Sequence, residues 1–293
     1  MGLYAPSTLQ AGADEIDKAA QKLLDAGAAG VSMALIDGSG MTWSEARGYA
    51  DIAAQVPMSI DTVLNIASIS KTVTATSLML LVEQGKLDLD RDINSYLTFT
   101  VVNEQYPDEI MTTRQLLTHT SATIDRSALY FSETSYHPGG DNPLSLGEFL
   151  QAYLSPNGEY YEAGNFATYR PGKNFQYSNI GGGQFQETRI LAKKTVETMF
   201  TLQFAPGQVL AAVEEDENHQ QALAWSYHSV KAGKMVLGHG GGDPGVTTDA
   251  QFFPGAGVGA ILLVNTSSER DDFRQAFENL MGILLDTAIE GVE

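Results

Sequence analysis

The sequence predicts an α+β fold: one antiparallel sheet built from both ends of the chain, flanked by terminal helices, with a helical lobe between the two halves of the sheet. Three observations carry this prediction. Runs of strand character cluster near residues 30–60 and again at 222–265. Apolar stripes at helical spacing occupy both ends, and the middle holds helical patterns around one long irregular stretch.

Near the start, Ile16, Ala19, Ala20, Leu23 and Leu24 recur at helical spacing within residues 14–26, and Gly27 follows as a stop. Val31–Ile36 and Met41–Tyr49 read as strands joined by the turn Asp37-Gly38-Ser39-Gly40. From about Ser70 to Gln84 the pattern is helical, with Leu78, Leu80, Leu81 and Val82 on a buried face and Gly85 as its end. The stretch from Asp125 to Phe175 differs. It carries Gly139-Gly140 and many aromatics: Tyr130, Phe131, Tyr136, Tyr153, Tyr160, Tyr161, Phe166 and Tyr169. Only Leu144–Tyr153 within it reads as a helix, and the aromatic content argues against disorder. These aromatics either line an acyl pocket or fill a core beneath the loop. Ala222–Val230, Met235–Gly238, Ala250–Phe253 and Gly259–Val264 then read as strands. A last helix follows, striped by Phe273, Ala276, Phe277, Leu280, Met281 and Leu284.

A chain of 293 residues fits one unit with two lobes. The expected partition is a sheet lobe of about 1–60 and 222–293 and a helical lobe of about 61–221. With 43% hydrophobic and 18% charged residues the composition is that of a globular protein. The longest apolar run, near Gly257–Val264, is far short of the ~18 residues that cross a bilayer, so no membrane span is expected. The opening Met1-Gly2-Leu3-Tyr4-Ala5-Pro6 lacks a basic region followed by an apolar stretch. The expectation is a cytoplasmic protein, or a mature exported form without its signal peptide.

The absence of cysteine removes thiol catalysis, disulfides and cysteine-bound zinc. A net charge of −19 repels phosphate backbones, so nucleic acid is not an expected partner. The five histidines show no ligand spacing, so no metal is expected. Gly255-Ala256-Gly257-Val258-Gly259 has no adjoining helix to hold a pyrophosphate and reads as a turn, so no cofactor is expected either.

Ser68-Ile69-Ser70-Lys71 is a Ser-x-x-Lys at the start of a helix, where a spacing of three puts both side chains on one face. A serine hydroxyl becomes a nucleophile when a neighbour takes its proton, and a helix N-terminus offers N–H groups to an oxyanion. In isolation the same four letters are more often a solvated helix face. Tyr177-Ser178-Asn179 follows over a hundred residues later, and His239-Gly240-Gly241-Gly242 sits after the strand ending at Gly238.

Those three motifs, in that order, resemble the serine β-lactamase and penicillin-binding-protein superfamily. Leu64–Lys71, Leu87-Asp88-Leu89-Asp90, Arg114–Ser121, Arg170-Pro171-Gly172-Lys173 and Gly238–Gly245 resemble its class C and esterase branch. The resemblance runs from about residue 14 to the C-terminus. It implies a β-lactamase/transpeptidase-like fold and an acyl-enzyme on Ser68. Lys71 and Tyr177 would share proton transfer, Tyr177 being the base for the Ser68 hydroxyl beside the Lys71 cation. Asn179 would hold the lysine and contact substrate, and the N–H groups of Ser68 and Gly242 would form the oxyanion hole. Gly240 and Gly241 complete that strand, and His119 takes a structural position. An α/β-hydrolase reading of His-Gly-Gly-Gly fails, because the chain has no Gly-x-Ser-x-Gly elbow.

Where the family's late motif starts with lysine, this chain has His239, largely neutral at pH 7. That favours small esters and amides over β-lactams. The expected function is therefore an esterase or broad acyl hydrolase, with weak β-lactamase or D-amino-acid peptidase activity as the alternative. Two further departures stand out. Ala122 replaces the glycine usual after Thr-Ser. After Asn179, Ile180-Gly181-Gly182-Gly183 leads quickly to Arg189–Val196 with no Pro-Leu-Gly-Met, as though a block of the helical lobe were bridged by glycines. The helical lobe is thus expected to be reduced. This keeps open a second class, a catalytically impaired ligand-binding or scaffold protein.

Overall fold

The computed structural model describes residues 7–130, 132, 144–182, 193–201, 203, 220–231 and 233–292. The chain divides into two compact units, Met1–Ser70 with Ser226–Glu293, and Lys71–Trp225. The helices are α1 (Ser7–Asp25), α2 (Ser70–Glu83), α3 (Thr113–Leu117), α4 (Ser127–Tyr130), α5 (Leu146–Leu154), α6 (Asn179–Gly182), α7 (Lys193–Phe200) and α8 (Asp271–Glu290). The strands are β1 (Gly30–Asp37), β2 (Gly40–Asp51), β3 (Val56–Pro57), β4 (Gln220–Gln221), β5 (Ser226–Lys231), β6 (Lys234–Asp243), β7 (Val246–Phe253) and β8 (Val258–Val264).

In the first unit the strands run in the order β3-β2-β1-β8-β7-β6-β5, all antiparallel. The α+β class and the sheet assembled from both ends are as the sequence predicts. Val31 pairs with Val264, which seats the first strand of the chain beside the last. Val31, Met33 and Leu35 alternate into the core, as expected of a sheet with one covered face. They meet Ile16, Ala20 and Leu23 of α1 and Phe273, Leu280 and Leu284 of α8 in one apolar cluster. Burying each such side chain stabilises by roughly 1.5–3 kcal/mol, so the two terminal helices are held chiefly by this face.

The expected strand Ala222–Val230 begins later, at Ser226. Before it the chain makes a tight turn instead, in which Ala222 N donates to Trp225 O (2.7 Å) and Ala224 has φ +56°. In α2 the buried positions are Thr72, Ala75, Leu78, Met79 and Leu80, while Leu81 and Val82 are only partly covered.

The second unit has two apolar clusters. One gathers Leu78, Met79, Leu87, Leu89, Leu117, Met199 and Leu223 around α2. The other contains Phe149, Tyr153 and Phe166, with Tyr160 and Tyr161 packed against it. For these five aromatics the core alternative holds. The expected aromatics Phe131 and Tyr136 lie outside the described residues, as does the bridge from Gly183 to Ala192. Among the described residues no helix is long and apolar enough to cross a membrane.

Candidate active site

Ser68 lies in the first unit, half-buried in the 3-10 turn Ala67–Ile69, three residues before Lys71. The turn is strained, with Ala67 at φ +46°, where an L-residue pays roughly 1 kcal/mol. Three contacts hold it there. Asn65 Oδ1 accepts from Ala67 N (2.7 Å), and Asn65 Nδ2 donates to Asp243 Oδ2 (3.2 Å). From β7, Thr248 Oγ1 donates to Ile66 O (3.0 Å).

Within the His239–Gly242 run of β6, Gly241 is the position where space demands glycine. A Cβ there would fall 2.3 Å from Thr248 Oγ1, 2.8 Å from Ile66 O and 3.0 Å from Ser68 N. A Cβ on Gly242 would meet nothing within 4 Å. His239 is half-buried, with Nδ1 2.6 Å from Gly240 O. A carbonyl only accepts, so Nδ1 carries the proton in this contact and the neutral ring has Nε2 as its acceptor.

The second unit holds Lys71, Tyr177 and Asn179 together. Lys71 Nζ donates to Asn179 Oδ1 at 2.6 Å and stands 5.0 Å from the centroid of the Tyr177 ring. Tyr177 is exposed on one side and stacks on His119 on the other, centroids 4.3 Å apart. His119 is buried, has φ +53°, meets Phe175 edge-on at 5.7 Å, and its Nδ1 accepts from Ser178 N (3.3 Å). It forms the floor under the tyrosine. Backbone bonds from Gln176 N to His119 O (2.7 Å), Gly172 N to Thr120 O (2.7 Å) and Ala167 N to Ala122 O (2.8 Å) lace residues 119–122 to 167–176. Ala122 sits at φ +66°, which explains why a glycine is the easier choice there.

Sequence reasoning missed Asp125. Its Oδ2 accepts from Asn179 N (2.7 Å) and Asn179 Nδ2 (2.8 Å), and its Oδ1 accepts from Ser178 Oγ (2.7 Å) and Ile180 N (3.1 Å). Its partners lie 53–55 positions away, and no local spacing marks it. Two of the recognised segments are also joined here: Arg114 grips Asp90 through Nε (2.6 Å) and Nη2 (2.8 Å). That hydrogen bond holds the Asp90 carboxyl below its ordinary pKa. Among the described residues no cluster of metal-ligating side chains is found.

The Beta-lactamase family model matches residues 16–229. The chain belongs to the Beta-lactamase family. Its relatives include the mitochondrial serine beta-lactamase-like protein LACTB of Mus musculus, 40% identical over 99 residues. The human protein of that name is likewise 40% identical over 99 residues, and in each case the match spans 33% of this chain and 18% of the relative. A penicillin-binding protein of Bacillus subtilis is 27% identical over 125 residues, 41% of this chain and 26% of that one. Among solved structures, the octameric penicillin-binding protein homologue from Pyrococcus abyssi superposes with a TM-score of 0.67 at 18% identity, over 87% of this chain and 74% of that chain. The D-amino acid amidase from Ochrobactrum anthropi gives 0.65 at 19% identity, over 94% and 99%. At these identities the structural likeness shows the β-lactamase/transpeptidase-like fold. Members of the Beta-lactamase family are serine hydrolases and acyltransferases.

Proposed function

We propose that the chain is a serine hydrolase that works through an acyl-enzyme on Ser68, with esters and other small acylated compounds as substrates. The observation that carries the reading is the Lys71 cluster. The ammonium is held 2.6 Å from Asn179 Oδ1 and 5.0 Å from the Tyr177 ring centre, on the residue three positions after Ser68.

In this reading Ser68 Oγ attacks the acyl carbon and its proton passes to Tyr177, acting with Lys71. The carbonyl π electrons move to oxygen, where the N–H groups of Ser68 and Gly242 stabilise the charge; one such donor is worth roughly 3–4 kcal/mol. Collapse breaks the bond to the leaving group, which takes the proton, and an ester remains on Ser68. Water repeats the sequence, releasing the acid and restoring the hydroxyl. The preference for esters rests on His239, which in its neutral form has no charge with which to hold a substrate carboxylate.

Intact mass after exposure to a fluorophosphonate, on the wild type and on Ser68→Ala, tests the proposal. A single adduct absent from the variant supports it. A folded wild type that takes no adduct overturns it and leaves the ligand-binding or scaffold alternative. Turnover of p-nitrophenyl acetate, nitrocefin and D-phenylalanine amide then ranks the substrates. A faster rate on nitrocefin or the D-amide would replace the ester preference.

A further inference from the structure

An amide has two unlike ends, one that accepts and one that donates. Lys71 only donates, and it meets Asn179 at Oδ1. An ionised carboxylate only accepts, and Asp125 meets the same amide at Nδ2. Between these two groups a single amide orientation satisfies both contacts. Reversing it would set Nδ2 against the ammonium and Oδ1 against the carboxylate.

Asp125 is itself held in place. The hydroxyl of Tyr153, whose residue is 1% exposed, donates to Ile124 O (2.8 Å) and accepts from Arg126 N (3.0 Å). It thus clasps the backbone on both sides of the aspartate. Ile124 N also donates to Asn165 O (2.9 Å), and Asn165 Nδ2 returns to Tyr153 O (2.7 Å). The four donors on Asp125 come from three consecutive residues, Ser178, Asn179 and Ile180, so the carboxylate fixes the turn as well as the amide.

We propose that Asp125 is a positioning residue: it sets which end of the Asn179 amide faces Lys71, and acts on acyl transfer only through that amide. The inference rests on the reading of Lys71 as part of the proton-transfer machinery. In Asp125→Asn one oxygen becomes an NH₂ donor facing the donors of the turn, and the amide keeps only the Lys71 ammonium of the two groups that fix its orientation.

A double-mutant cycle on the rate of fluorophosphonate acylation tests this, with Tm followed for every variant. Asp125→Asn should slow acylation about 10- to 100-fold. In an Asn179→Ala background the same change should cost less than about twofold, because its route of action is gone. Losses that multiply would show that Asp125 acts independently of Asn179 and overturn the proposal. If Asp125→Asn fails to fold, Tyr153→Phe enters the same cycle; its smaller loss should likewise vanish when Asn179 is alanine, and a loss that persists overturns the proposal. A second readout needs no activity. Hydrogen exchange of the Asn179 side-chain NH₂, followed by NMR with asparagine-selective ¹⁵N labelling, should be about tenfold faster in Asp125→Asn or Tyr153→Phe. Unchanged exchange overturns the positioning role. A wild type that takes no fluorophosphonate but shows the exchange difference would count against the proposed hydrolase alone.

Discussion

The turn at Ser68 and the turn at Tyr177–Asn179 are held by different means. The first joins close approach to scattered hydrogen bonds: Gly241 lies too near Thr248 and Ile66 to carry a Cβ, and the bonds of Asn65 and Thr248 keep Ala67 at φ +46°. The second is fixed by hydrogen bonds, four of them converging on the Asp125 carboxylate. Close packing fails abruptly, because a misplaced atom has nowhere to go. A polar network fails in steps, one donor at a time, and its members act together. The two turns should therefore respond differently to substitution.

The largest effect is expected at Lys71. Lys71→Ala should cut acylation by roughly 10²–10⁴-fold, the range of a lost proton-transfer group, while leaving Tm nearly unchanged. Thermal melts beside acylation rates check it, and a large loss of stability would make Lys71 a structural residue.

A smaller, mixed effect is expected on the Ser68 side. Gly241→Ala must push apart Thr248, Ile66 and Ser68, which should cost roughly 1–3 kcal/mol of stability together with a loss of rate. Adding Thr248→Ala should recover only part, since the contact with Ile66 O at 2.8 Å remains. Gly242→Ala, with open space at its Cβ, should leave Tm where it was. Equal melting losses at the two glycines would break the contrast drawn above.

The last effect falls on stability alone and separates two aspartates. Asp125 has donors at both oxygens, whereas Asp249 on β7 receives Gln251 Nε2 at Oδ2 (2.6 Å) and has its Oδ1 sealed from water. Burial raises the Asp249 pKa to about 6, and the bonds from Gln251 and the Ala250 backbone offset only part of this. Because the folded value lies above the model value of 3.8, the proton binds the folded state more tightly. The resulting stabilisation is complete below about pH 4 and is lost as pH rises through about 6. Asp249→Asn should thus raise stability at pH 7–8 by up to about 3 kcal/mol and by little at pH 4. Tm against pH for both proteins is the measurement, and a gain that does not grow from pH 4 to 7 contradicts it.

Much of the fold was legible because its elements announce themselves locally. Ile16, Ala20 and Leu23 mark one face of α1, and the alternation from Val31 to Leu35 marks a half-covered strand. The apolar residues of Ala222–Trp225 suit strand and turn alike, and the backbone bond between Ala222 and Trp225 decides for the turn. In the candidate site the motif residues stood out by type and order, whereas Asp125 and the strain at Ala67 left no mark in the string of letters.

Sequence periodicity thus settled the α+β class and the terminal helices, and a short spacing singled out Ser68 and Lys71 as candidates, since all of these depend on neighbours a few residues apart. The seating of β1 beside β8, the need for glycine at position 241 and the choice of Asp125 as partner of Asn179 came from folding. Each depends on atoms brought within about 3 Å by segments far apart in sequence, and hydrogen bonding and steric exclusion act over that range alone.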